Sequence, residues 1–254
     1  MDPGTQTTHG SLLGGKISFE QPAQGYRAAI DPVLLAATIP SGAADAVEFG
    51  AGAGAATLCL AARCGGLSIR AVEVDPAMAA LARRNVAANG FAGRVDVIEA
   101  DVVACAPAMR GSAGVVFFNP PYDLPARASP SPHPGKRRAH VEGDAGLAAW
   151  VDAARRILRP RGTLWMVHRA DRFDHAVATL AGRFGDIVLV PLWPRAGEPA
   201  RRILLGARLG SRGAARLLPG LVLHEADGRF TAAAEAILRH GAALSMPGLD
   251  LAGG

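Results

Sequence analysis

From residue 44 onward, short β-branched runs alternate with alanine-rich stretches long enough for helices, which commits the chain to βαβ units and a mostly parallel sheet. Strands are expected at 44–50, 68–74, 94–100, 113–119, 162–168, 186–193 and 201–209. Seven strands in one sheet with helices on both faces make a Rossmann-like α/β architecture. The helix after the second strand is the best signalled: Asp75 can cap it, Pro76 suits its first turn, AMAALARRNVAAN propagates it and Gly90 stops it. Another helix is expected over 143–158, ending before Pro160. Trp165, Phe184 and Trp193 fall on strand or helix periods and are expected in the core.

The first strand runs directly into Glu48, Phe49, Gly50, Ala51, Gly52, Ala53 and Gly54 and then a helix, so the backbone turns sharply where a ligand can approach without meeting a Cβ. About twenty residues on, the second strand ends at Glu73, whose carboxylate can accept both hydroxyl hydrogens of a ribose. By spacing alone these features suit NAD as well as S-adenosylmethionine. The third strand ends at Asp101, which either receives an adenine amino group or caps the next helix.

The fourth strand separates these readings. After the apolar Val115, Val116, Phe117 and Phe118 come Asn119, Pro120, Pro121 and Tyr122 at the same sheet edge. Two prolines remove two backbone donors and leave carbonyls free to face a pocket. The Asn119 side-chain oxygen and the Pro120 carbonyl can then accept both hydrogens of an NH2 group, while Tyr122 stacks on its planar carrier. An amine held this way aims its lone pair at a sulfonium methyl, and orientation with electrostatics supplies the rate without a metal or a general base.

Charge narrows the acceptor. The chain is +5 overall, yet residues 127–216 hold 17 of the 27 Lys and Arg against 7 of the 22 Asp and Glu, a surplus of ten that leaves the remainder at −5. Such a block suits a polyanion, because each neutralised phosphate releases counterions. Arg127, Lys136, Arg137, Arg138, Arg201 and Arg202 are the candidate phosphate contacts.

Other classes find little support. The first fifteen residues carry neither a basic n-region nor an apolar h-region, and no stretch reaches the ~18 unbroken apolar residues of a membrane span, so a cytoplasmic protein is expected. Cys59, Cys64 and Cys105 form no C-x-x-C pair and read as reduced thiols. The seven histidines show no H-x-x-x-H pair, and no metal site is expected. There is no G-x-S-x-G elbow and no Walker lysine.

At these residues the chain resembles the class I methyltransferases with an Asn-Pro-Pro-Tyr motif, and most of all the bacterial tRNA(Val) adenine-N6 methyltransferases, which modify the adenine beside the anticodon. The resemblance implies S-adenosylmethionine as cofactor and a class I methyltransferase fold over residues 41–254, with a basic loop at 123–142 and a C-terminal appendage at 211–254. Residues 1–40 then pack over the cofactor, with Gln24, Tyr26, Arg27 and Asp31 as polar positions. Asp31 followed by Pro32 reads equally as a helix N-cap. Glu48, Gly50, Gly52, Glu73 and Asp101 match cofactor positions, Asn119 borders both ligands, and Asn119 with Pro120, Pro121 and Tyr122 forms the target-nitrogen pocket. Tail residues 223–241 also resemble that family's C-terminal segment. The 123–142 loop departs from it, being longer and richer in Pro and Arg. The implied activity is N6 methylation of a tRNA adenine. The alternatives are guanine-N2 methylation of ribosomal RNA, methylation of a protein glutamine amide and a non-catalytic RNA-binding module. About 45 turn-rich residues before the glycine loop leave little room for the helical domain of the glutamine enzymes.

Overall fold

A computed structural model of the chain describes residues 6–24, 30–120 and 144–251. Its centre is a nine-stranded sheet containing all seven expected strands: β3 (Asp45–Phe49), β4 (Ser68–Glu73), β5 (Val95–Glu99), β6 (Ala113–Phe118), β7 (Leu158–Arg169), β8 (Phe184–Arg195) and β9 (Arg202–Leu209). The order across it is β5, β4, β3, β6, β7, β9, β8, and only β9 runs antiparallel to its neighbours. The two additions are β10 (Arg216–Leu217) and β11 (Leu221–His224), both parallel to β8 on its outer edge.

Helices cover both faces. One face carries α1 (Asp31–Ala37), α2 (Ala55–Arg63), α3 (Pro76–Ala88) and the C-terminal α7 (Ala232–His240), packed on Phe117, Trp165, Val190 and Leu204. The other carries α4 (Val102–Cys105), α5 (Asp144–Ile157) and α6 (Phe173–Leu180), packed on Val116, Phe118, Met166 and Leu205. Strands buried on both faces read as continuous apolar runs, as Val115 to Phe118 does. Trp165 and Phe184 are buried as expected, whereas Trp193 is only half-buried.

The capping signals read from the sequence hold. The Asp75 carboxylate accepts from the Ala77 and Met78 amides at 2.8 and 3.4 Å, and Gly90 leaves α3 in the left-handed region. Helix C-termini are closed by arginines, a device not apparent from the sequence. The Arg63 guanidinium donates to the Ala36 and Ile39 carbonyls behind α1. Arg94 donates to Ala61, Cys64 and Leu67 behind α2 while lying 4.8 Å above the Phe91 ring. Each places a cation where carbonyl dipoles converge.

The N-terminal residues, expected to be turn-rich, instead form a hairpin of β1 (Thr7–Leu12) and β2 (Ile17–Pro22). Its buried Ile17 and Phe19 face the helices, and Asn85 of α3 and its C-cap Asn89 clamp the backbone of Glu20 and Ser18. The C-terminal segment ties this corner together: Lys16 donates to the His240 carbonyl, and the Leu244 amide to the Ala37 carbonyl.

If Arg94 stabilises the end of α2 through these carbonyls, Arg94→Ala should lower the free energy of unfolding by about 2 kcal/mol, the scale of hydrogen bonds from a charged donor. Urea denaturation followed by circular dichroism measures it, and an unchanged midpoint would contradict the capping role.

Candidate active site

The parallel strands β3, β4, β5 and β6 end along one edge of the sheet, where open α/β sheets bind ligands. Glu73, the last residue of β4, is buried there. Its Oε2 accepts from the Gly52 amide at 2.7 Å and its Oε1 from the Asp75 amide at 2.9 Å. The carboxylate thus staples the turn after β3 to the end of β4, and each oxygen retains a lone pair for a further donor. Burial raises its pKa, and the amide donors oppose that shift.

The glycines of the turn divide their roles. Gly50, Gly52 and Gly54 all take positive φ. A Cβ on Gly52 would meet nothing closer than the Met78 Cε at 3.8 Å, so its outer side is open to a ligand, as expected. Gly50 meets a packing demand: a Cβ there would fall 2.8 Å from the Trp150 ring. Trp150 of α5 fills the space, edge-on to Phe49 and Phe118 with centroids 6.1 and 5.4 Å away. This aromatic cluster seats the ends of β3 and β6 together. Trp150 is the positioning residue that sequence reasoning missed, because its helical period resembles any core position.

Glu48 lies beneath the turn, fully buried, and accepts from the Thr57 hydroxyl of α2. Burial raises its pKa from 4.5 to about 8, Thr57 opposes the shift, and the nearby Glu73 charge adds to it. Glu48 therefore links strand to helix under the cradle.

Asp101 caps α4, its Oδ1 accepting from the Val103 and Ala104 amides at 2.8 and 3.0 Å. Beside the acidic residues, Val74 and Val103 expose 49% and 39% of their surface. These two apolar side chains, also missed from the sequence, flank the strand ends with faces suited to a flat base. Buried Glu73, open Gly52, exposed Val74 and Val103, and Asp101 fit a ligand with a ribose diol and an adenine.

Asp31 is not an N-cap. That place belongs to Ile30, and the Asp31 carboxylate instead binds the Arg202 Nε at 3.0 Å, joining α1 to β9. Arg202 is thus engaged internally, whereas Arg201 is exposed. Gln24 is exposed two residues beyond β2. Asn119, half-buried, and Pro120, buried, continue β6 past Phe118, beside the β3 turn and β7. Tyr26, Arg27, Pro121, Tyr122, Arg127, Lys136, Arg137 and Arg138 lie outside the described residues. His168, next to last in β7, is buried with its Nδ1 3.5 Å from the Arg169 carbonyl, and burial lowers its pKa. Among the described residues no helix is long and apolar enough to cross a membrane.

With this geometry the chain can be set beside known proteins. Residues 30–191 match the family model described as "Methyltransferase small domain". A "tRNA1(Val) (adenine(37)-N6)-methyltransferase" of Erwinia tasmaniensis is 30% identical over 208 residues, 80% of this chain and 82% of that protein. One of the same name from Shewanella amazonensis is 36% identical over 127 residues, 49% of this chain and 53% of its own length. Among solved structures, a predicted O-methyltransferase from Agrobacterium tumefaciens is 28% identical with a TM-score of 0.71, covering 85% of this chain and 99% of that one.

The raised Glu48 pKa carries a pH dependence. The folded state keeps the proton that the unfolded chain releases above 4.5, so Glu48 costs stability as pH rises towards about 8, by up to about 1.4 kcal/mol per pH unit. Glu48→Gln removes this slope. Unfolding of both proteins across this range should show the variant gaining on the wild type with rising pH, and parallel profiles would contradict it.

Proposed function

The chain belongs to the methyltransferase small domain family and is an S-adenosylmethionine-dependent methyltransferase, and from that premise we propose that it methylates the N6 amine of an adenine in tRNA. The observation that carries this reading is the position of Asn119 and Pro120, which follow β6 directly at the edge that also holds Gly52 and Glu73. The naming of relatives about 30% identical supports the same acceptor.

When bound, S-adenosylmethionine supplies an activated methyl group whose departure leaves an uncharged thioether. Glu73 would hold the ribose hydroxyls and Asp101 the adenine amino group, with Val74 and Val103 beside the base. At the acceptor, the Asn119 side-chain oxygen and the Pro120 carbonyl accept the two amine hydrogens, which fixes the nitrogen and concentrates electron density on it. The nitrogen would thereby be held for direct attack on the methyl, with the N–C bond forming as the S–C bond breaks and one amine proton passing to solvent, which is where proximity contributes most. The aromatic seat of Trp150 on Phe49 and Phe118 keeps the two ends in register. Extracting an adenine from a duplex costs roughly a few kcal/mol, so an unpaired loop adenine is the preferred target.

Transfer of tritiated methyl to total tRNA, followed by nucleoside analysis, should give N6-methyladenosine. Labelled guanosine, labelled 2′-O-methyl nucleosides or labelled protein with unlabelled RNA would reject the proposal. Asn119→Ala is expected to lower kcat at least ~100-fold with cofactor affinity retained, as for a group acting in the transition state. Glu73→Ala should instead weaken S-adenosylmethionine binding in calorimetry, and normal affinity would contradict its assignment.

A further inference from the structure

The edge that carries Asn119 continues well beyond it. Extending the β6 register onto β7 sets Pro120 level with His168, which pairs with Ile203, which in turn pairs with Pro191. One step outward lie Arg169, Arg202 and Leu192, and continuing the β8–β9 register one residue past its last pair sets Arg201 level with Trp193. At about 4.8 Å per strand and 3.3 Å per residue, Trp193 stands roughly 17 Å from Asn119.

Trp193 is built to present a ring. Its Nε1 donates to the Pro219 carbonyl at 3.0 Å, and Gly220, at φ +87°, lets that turn close on the indole edge where a Cβ would fall 2.6 Å from Nε1. The rest of the half-buried ring forms the floor of an open, mainly apolar groove with Ala196, Gly197, Pro199 and Val222. Glu198, also in its wall, is neutralised by Arg195 at 3.2 Å. Arg201, immediately before β9, is exposed and makes no ion pair among the described residues.

A fixed aromatic face with a cation beside it suits an unpaired nucleobase and its phosphate, since any base has a π-face to stack and the guanidinium takes the charge. A purely apolar peptide would leave Arg201 unmatched. We infer that this groove is a second nucleobase subsite, in which an unpaired base flanking the target adenine stacks on Trp193 while Arg201 meets its phosphate. This rests on the RNA reading proposed above. It assigns Trp193 to affinity for the RNA and leaves the methyl-transfer step to Asn119 and Pro120.

The test compares the wild type with Trp193→Ala, Trp193→Phe, Ala196→Glu and Arg201→Ala, measuring total-tRNA affinity, S-adenosylmethionine affinity and methyl transfer. Trp193→Ala should weaken tRNA binding about ten-fold or more, within the range for loss of one stacked base, and Trp193→Phe should retain most of it. Saturated kcat and cofactor affinity stay at wild-type values. Arg201→Ala should reduce the salt slope of binding by about one. Ala196→Glu places a carboxylate on an exposed loop of the groove and should weaken RNA alone, so it decides the matter if Trp193→Ala loses cofactor binding through misfolding. Wild-type RNA affinity in both Ala196→Glu and folded Trp193→Ala, with tRNA still methylated, overturns the subsite and leaves the proposed function standing. A wild-type protein that neither binds nor methylates tRNA overturns both.

Discussion

A single buried carboxylate holds the site open. Glu73 binds the Gly52 and Asp75 amides, so the turn after β3 and the end of β4 are locked together from within the protein. A strand-end glycine turn without such a staple would sample many conformations, because glycine loses more backbone entropy on ordering than any other residue. The aromatic contact of Trp150 with Phe49 and Phe118 does the same between β3 and β6. Between them these contacts fix the spacing of the three strand ends on which the chemistry depends.

The arginines divide between architecture and partner. Within 144–216, Arg155, Arg159, Arg169, Arg183, Arg195, Arg202 and Arg208 each form an ion pair with an Asp or Glu. Arg208 is itself buried, where an unpaired charge would be costly. The positive surplus of that block is therefore less available to a polyanion than its sum suggests. What matters is position, and Arg201 lies on the same edge as the acceptor motif.

Much of this was legible in the sequence, for identifiable reasons. Long apolar runs and strong caps, such as Asp75 with Pro76 and Gly90, are local signals, and they located the main strands and α3 closely. β10 went unseen because two residues have no period, and the β1–β2 hairpin because its Gly and Ser content masked the alternation of Ile17 and Phe19. Gly50 was read as a cofactor glycine, and the structure adds a packing demand on it from Trp150, one hundred residues away. The partner of Asp31 is equally remote, at Arg202. Contacts of that range leave no mark on spacing, so the sequence pointed to candidate residues at the strand ends and not to the side chains that seat them.

The central claim is that the edge bounded by Gly52, Glu73 and Asn119 holds a methyl donor and an amine side by side. A crystal structure with S-adenosylhomocysteine and an adenosine nucleotide tests it most directly. The cofactor ribose is expected on Glu73, and the nucleotide's amino group within hydrogen-bond distance of both the Asn119 side-chain oxygen and the Pro120 carbonyl. A ribose elsewhere, or an Asn119 amide turned away from the bound amine, would contradict it.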